Sequence, residues 1–280
     1  MGIAGEGSDC FGYDDLISRD HDFGTGVCLW LTDRDYEEYG SRLSAEYNRL
    51  IEKKTDPYYT ERLRERRGVM TIHDFYSNIL CVDCDTDRCV MPEEKWYSLD
   101  HTCLATAVNG EVFRDDPGEF SRFRALLLDY YPDRIWRWRL AEELHWFSSA
   151  LQVNYARCMT RGDTVAADIC RSRGLNAAME LYFLIRRVYP PYYKWIFRAL
   201  KELDRDSVYS GLIKNLSEIR CDLNFWKSTE YRPDRINMAD PVVRLTEETA
   251  KHVVTMLRET GLISAGDPYL ERYVNVVLQR

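Results

Sequence analysis

The sequence predicts an α+β protein in two parts: a small mixed-sheet domain over residues 1–120 and an all-helical bundle over residues 121–280. Three observations predict this. Short apolar runs bounded by turn residues recur in the first third, as buried strands do. After the turn Asp115-Asp116-Pro117-Gly118 the texture changes to long segments with helical spacing. The length, 280 residues, suits one large domain or two modest ones.

Along the chain, Val27-Cys-Leu-Trp-Leu31 is an apolar run suited to a buried strand. Thr32 or Asp33 then caps a charged helix over 35–54, with Tyr36, Tyr39, Leu43, Tyr47, Leu50 and Ile51 spaced to share a face. Pro57 ends it. Residues 68–72 read as a second strand and 110–113 as a third. Pro132 opens a helical pattern that runs to about 161. A further helix covers 163–188 until Pro190-Pro191 breaks it, and helices over 192–203, 207–223 and 245–260 follow, with Gly261 and Gly266 as stops.

Composition narrows the function classes. With 45% hydrophobic and 30% charged residues, the chain is a packed globular protein rather than a disordered one. The net charge of −8 argues against binding nucleic acid through bulk positive charge, and it leaves room for a local basic pocket. No stretch approaches the ~20 apolar residues of a membrane span. The start of the chain has neither the basic nor the apolar region of a signal peptide. Glu6 stands where a myristoylation pattern needs Ser or Thr. A cytoplasmic location is therefore expected, with the nine cysteines as reduced thiols.

The most informative segment is Gly7-Ser8-Asp-Cys-Phe-Gly12 followed by Ser18-Arg-Asp20-His-Asp22-Phe23. In an extended strand residues i and i+2 face the same way, so Asp20 and Asp22 present two carboxylates side by side, with His21 opposite. Adjacent like charges need a cation between them. Hard oxygen ligands favour Mg²⁺, which takes one or two carboxylates together with substrate phosphates. Gly7 lets backbone approach a phosphate closely, and the Ser8 hydroxyl can donate to it.

These residues resemble the signature of the nucleotidyltransferase superfamily typified by DNA polymerase β and kanamycin nucleotidyltransferase. The fuller string over 5–23 is similar to one bacterial branch of it, a domain family of unknown function. The similarity extends to Asn154-Tyr-Ala-Arg-Cys-Met-Thr-Arg-Gly-Asp163 and to the segment 189–200. The resemblance implies one or two Mg²⁺ ions held by Asp20 and Asp22, and an NTP, most simply ATP, bound near Gly7, Ser8 and Ser18. An acceptor hydroxyl on a small molecule or protein would attack the α-phosphorus, and pyrophosphate would leave. Such proteins usually carry a third carboxylate on a later strand. Asp74 is the candidate here, and its alternative role is the N-cap of the next helix. They also carry a helix before the first strand. This sequence has six residues before Gly7, so its first strand is expected at a sheet edge or under another element.

In the helical part, Lys194 either neutralises a nucleotide phosphate or is a surface charge, and Arg198 is read as a surface charge. Asn154, Tyr155, Arg157 and Asp163 either shape an acceptor pocket or fix a helix junction, with Asp163 also a natural N-cap. Glu142, Glu143 and His145 lie on a helix, and Glu143 is assigned to the acceptor pocket. Glu180, in an apolar stretch, is expected to be paired if buried, for instance with an arginine. Cys81, Cys84, Cys89, His101 and Cys103 have part of a zinc spacing, but the second half is irregular. Two other functions remain: a non-catalytic nucleotide- or partner-binding module, such as an antitoxin-like regulator, and a zinc-stabilised interaction domain. Nothing in the composition excludes an oligomer.

Overall fold

The computed structural model describes residues 1–18, 25–52, 66–230, 232 and 235–279. The chain divides into two compact units, Met1–Pro132 and Asp133–Arg280. It is an α+β protein, with a small mixed four-stranded sheet near the N-terminus and many helices after it.

The sheet comprises β1 (Gly2–Ile3), β2 (Cys28–Leu31), β3 (Gly68–Thr71) and β4 (Glu111–Val112), in the order β3-β2-β1-β4. β2 and β3 run parallel, while β1 is antiparallel to both of its neighbours. Of the two alternatives for the first predicted strand, at an edge or under another element, the edge is excluded: β2 lies between β3 and β1, a strand the sequence did not indicate, and β1 itself pairs with Cys28 and Val112.

A parallel pair needs a crossover, and α1 (Asp33–Glu52) begins it. Of the two candidate caps, Thr32 serves: its hydroxyl accepts from the Asp35 N–H at 3.2 Å and its carbonyl from Tyr36 at 2.9 Å. The predicted apolar face of α1 is only partly covered. Tyr47 is buried and its hydroxyl accepts from the Val27 N–H, whereas Tyr36, Tyr39 and Leu50 stand exposed. Lys54 and Pro57 lie outside the described residues.

The first unit continues with α2 (Ile72–Leu80), α3 (Glu93–Ser98), α4 (His101–Val108) and α5 (Glu119–Leu128). Its centre is aromatic. Trp30 of β2 stacks on Phe120 at 3.6 Å between centroids, and Phe75 and Tyr76 of α2 close around the same ring. The Tyr76 hydroxyl donates to the Phe120 carbonyl. Through Phe120 and Phe123, α5 packs with the first unit although it lies past residue 120.

The second unit opens on α6 (Asp133–Phe147), a π-helical stretch (Ser148–Asn154) and α7 (Tyr155–Thr160). Sequence spacing predicts one helix through this region, but the middle seven residues are wound more widely. The helix α8 (Thr164–Arg186) crosses close by, at Gly174, where a Cβ would stand 2.2 Å from Leu151 Cγ of the π stretch. Five helices follow: α9 (Ile196–Leu203), α10 (Val208–Glu218), α11 (Leu223–Lys227), α12 (Pro241–Glu259) and α13 (Glu271–Leu278). Asp163, Asp222 and Asp240 cap α8, α11 and α12 by accepting backbone N–H bonds. Trp136 fixes α6 against α8 by donating from Nε1 to the Leu184 carbonyl at 2.8 Å. Among the described residues, no helix is long and apolar enough to cross a membrane.

Candidate functional site

The glycine-serine loop follows β1 directly and is held at both feet. At one foot the Asn109 side chain acts as a second peptide. Its Oδ1 accepts from the Gly5 N–H and its Nδ2 donates to the Gly5 carbonyl, both at 2.8 Å. At the other foot Arg67, with a side chain only 3% exposed, donates to Asp9 at 2.7 Å and to the Cys10 thiol at 3.1 Å. Arg66 adds a 2.9 Å ion pair to Glu6. Between the feet, the Ser8 carbonyl accepts from Phe11 and Tyr13 N–H groups, which turns the chain. Gly7 has φ of +117°, and a Cβ there would lie 2.3 Å from the Asp9 carboxylate, so only glycine fits this turn without strain.

Electrostatics follow burial. Desolvation pushes the Cys10 thiol up to about 12, against the opposing pull of Arg67, so the thiol stays neutral. Burial also raises the neighbouring Cys28 thiol. Asp9 is then the carboxylate that meets the buried Arg67 charge. Glu6 and Asp9 are thus offset locally by Arg66 and Arg67. The apex is different: among the described residues, no acceptor is assigned to the N–H groups of Gly7, Ser8 or Asp9.

Asp20 and Asp22 lie outside the described residues. Ser18 closes a local turn: its hydroxyl accepts from the Asp15 N–H at 2.6 Å, and its own N–H donates to the Asp15 carboxylate. Asp74 does not cap α2; Thr71 does, accepting the Asp74 N–H at 2.8 Å. The order Thr71-Ile-His-Asp74 fits the Ser/Thr-x-x-Asp/Glu pattern that marks a helix start, a signal available in the sequence. The Asp74 carboxylate is exposed and lies 3.6 Å from His73, whose other ring nitrogen meets Asp83 at 3.0 Å. Asp83, then Asp74, raise the His73 pKa.

In the second unit, Lys194 is exposed with its ammonium 5.0 Å from the Trp195 ring centroid, and Arg198 lies over the same ring and pairs with Glu202. Arg157 and Asp163 are exposed, and Asp163 serves as the N-cap of α8 by accepting the Ala166 N–H. Tyr155 is fully buried and edge-on to Trp226, which makes it core rather than pocket wall. Asn154 donates to the Ser149 hydroxyl within the π stretch. Glu143 and Glu180 come together across α6 and α8 as hydrogen-bonded carboxyls, and Asn176 donates to Glu180 at 2.5 Å. Burial first, and the Glu180 charge second, push Glu143 up to about 9. Arg173, stacked on Trp146 at 3.3 Å, pulls weakly the other way.

In the 81–103 region the Cys84 thiol faces the Val82 carbonyl, and the Cys89 thiol faces the Arg122 carbonyl. Among the described residues, no three His, Cys, Asp or Glu side chains converge as metal ligands.

The loop anchors Arg66, Arg67 and Asn109 are residues that the motif did not indicate. Arg66-Arg67 is visible in the sequence as a basic pair just before an apolar strand, but nothing there joins it to Asp9, 58 positions away. Asn109-Gly110 reads only as a turn.

Residues 96–196 match a family described as a domain of unknown function, DUF4037. That span includes the 154–163 segment and most of the 189–200 segment, and it excludes the glycine-serine loop and the Asp20/Asp22 pair. No curated protein and no solved structure matches the chain.

Proposed function

We propose that this chain is a Mg²⁺-dependent nucleotidyltransferase that moves a nucleoside monophosphate, AMP from ATP in the simplest case, to a hydroxyl of a small molecule or protein. The observation that supports it is the loop Gly5–Cys10. Its feet are anchored by buried or paired side chains, and three consecutive N–H groups at its apex have no acceptor among the described residues. A glycine turn that presents successive backbone donors is a concavity for anions. Asp20 and Asp22, which lie outside the described residues, are the hard oxygen donors that the sequence motif offers for the metal. That donor set fits Mg²⁺. Bound there, the ion would neutralise phosphate charge and orient the α-phosphorus. The chain's own part is positional: the Gly7 and Ser8 donors hold triphosphate oxygens in line with the incoming hydroxyl, and they stabilise charge that moves onto the leaving pyrophosphate.

The test is incubation with ATP labelled on the γ-phosphate, with and without Mg²⁺ and across a panel of hydroxyl-bearing acceptors, for wild type and Asp20→Asn/Asp22→Asn. Mg²⁺-dependent release of pyrophosphate by wild type alone is the expected result. Absence of any nucleotide binding would sink the reading. One observation favours a second reading, a non-catalytic nucleotide-binding module: Asp74, the candidate third carboxylate, is committed to the first turn of α2 and to His73. Mg²⁺-dependent binding without turnover across acceptors is what that reading expects.

A further inference from the structure

We infer that Asn109 and Arg67 are positioning residues which fix the Gly5–Cys10 loop in the form that receives a nucleotide phosphate. What the loop receives rests on the reading above; how the loop is held does not.

Asn109 is the stronger case. It sits one residue beyond α4, and its carboxamide satisfies both the donor and the acceptor of Gly5, as a neighbouring strand would. The contact spans 104 positions of sequence, so no local turn can substitute for it. Asn109 is itself held in place. Arg124, on α5, donates to the carbonyls of Val108, Asn109 and Gly110 at 2.7, 3.1 and 3.1 Å. A continuous chain of hydrogen bonds therefore runs from α5 through the 108–110 turn to the loop.

Arg67 holds the other foot from the residue before β3. Its guanidinium reaches the Ala4 carbonyl at 3.4 Å as well as Asp9 and Cys10, so it ties the start of the loop to its end. A buried guanidinium left without a carboxylate is costly, and this confines Asp9 to one position. Gly7 and Ser8 lie between the two anchors. Neither anchor touches them, so each acts on the apex through the backbone.

The test uses the full chain and four variants: Asn109→Ala, Asn109→Asp, Arg67→Lys and, as a remote control, Asp222→Ala. The control removes the N-cap of α11 in the other unit, a loss that lowers stability without touching the loop. The readouts are Mg·ATP affinity, melting temperature and amide exchange of residues 5–13. Asn109→Ala is expected to weaken Mg·ATP binding about tenfold and to speed exchange across 5–13, with β2 and β3 still protected. Asn109→Asp keeps the acceptor for Gly5 and lacks the donor, so it should fall between wild type and Asn109→Ala. Arg67→Lys keeps the charge and loses the fork, and should loosen the end near Asp9. Asp222→Ala should lower the melting temperature and leave affinity unchanged. Unchanged exchange over 5–13 in Asn109→Ala would overturn the inference, whether or not wild type binds nucleotide. So would unchanged affinity in that variant when wild type does bind. Absence of nucleotide binding by wild type would remove the functional reading, and amide exchange would still decide how the loop is held.

Discussion

Replacing Glu143 by Gln is expected to stabilise the helical unit, and by more as the pH rises. Glu143 on α6 and Glu180 on α8 hydrogen-bond to one another in a poorly solvated place, where two ionised carboxylates would repel. Burial is the larger cause and the Glu180 charge the next; together they raise Glu143 from 4.5 to about 9. The sign follows from proton counting. Between about 4.5 and about 9 the folded state holds a proton that the unfolded state has released. The contribution of this pair to stability therefore falls as pH rises through that window. One full proton of difference gives a slope of roughly 1 kcal/mol per pH unit, a few kcal/mol at most between pH 6 and pH 8. A glutamine at 143 removes the titration and can still donate from its amide to the Glu180 carboxylate. Urea denaturation of wild type and variant at pH 6, 7 and 8, followed by far-UV circular dichroism, supplies the difference. Subtracting the two curves cancels every group titrating alike in both proteins. The stability of Glu143→Gln relative to wild type should climb by roughly 1 kcal/mol per pH unit. Removal of Arg173, which opposes the shift, should raise the folded pKa further and carry the same slope to higher pH. A difference that stays flat from pH 6 to pH 8 would refute the shared proton.

Three further outcomes are expected. Gly7→Ala forces a positive φ on a residue with a Cβ and drives that atom into the Asp9 carboxylate; it should cost ~1–3 kcal/mol by denaturant titration and abolish nucleotide binding. Gly174→Ala pushes a methyl group into Leu151, so it should cost ~1–3 kcal/mol and disturb amide exchange across the π stretch; a neutral effect would show that α8 can shift freely there. His73 should titrate above 6.5 by NMR, with Asp83→Asn moving the midpoint down. Since its folded pKa is raised, the stability it contributes is complete below about 6.5 and fades as pH rises through the folded value.

Legibility in the sequence tracked the range of the interaction. The strands at 28–31 and 68–71 were visible because an apolar run between turn residues is a local fact. The N-cap at Asp163 was visible for the same reason, its partner being three residues away. The cap of α2 was misassigned to Asp74 rather than Thr71, although the Thr-x-x-Asp spacing carries the signal. β1 escaped because two residues carry no periodicity; it exists only through pairing to Cys28 and Val112. The π stretch escaped because Ser148–Asn154 has an ordinary helical composition, and its wider winding goes with how closely Gly174 of α8 approaches Leu151. The Glu143–Glu180 pair is a case of partial reading. The apolar setting of Glu180 announced a buried carboxylate in need of a partner, and spacing along one helix had no means of pointing to another helix.

The same distinction separates what the glycine-serine motif says from what the structure adds. The motif names the apex, because glycine and serine are needed there for conformation and for donors, and those needs belong to the residues themselves. The anchors are specified by geometry alone. Any side chain able to mimic a peptide can hold Gly5, and any buried cation can hold Asp9, so neither requirement fixes a position in sequence. A motif of this kind therefore marks where a ligand would touch and leaves unmarked what keeps that surface rigid. The expected consequence is an asymmetry in variants: changes at Gly7 or Ser8 should act on the contact itself, whereas changes at Asn109 should act on how often the loop is in the form that makes contact. For a loop competent only a fraction of the time, apparent affinity falls by that fraction. Saturating Mg·ATP should then restore the amide protection of residues 5–13 in Asn109→Ala to the wild-type level, and it should fail to do so in Gly7→Ala. Equal restoration in both would mean that the anchor and the apex do the same job.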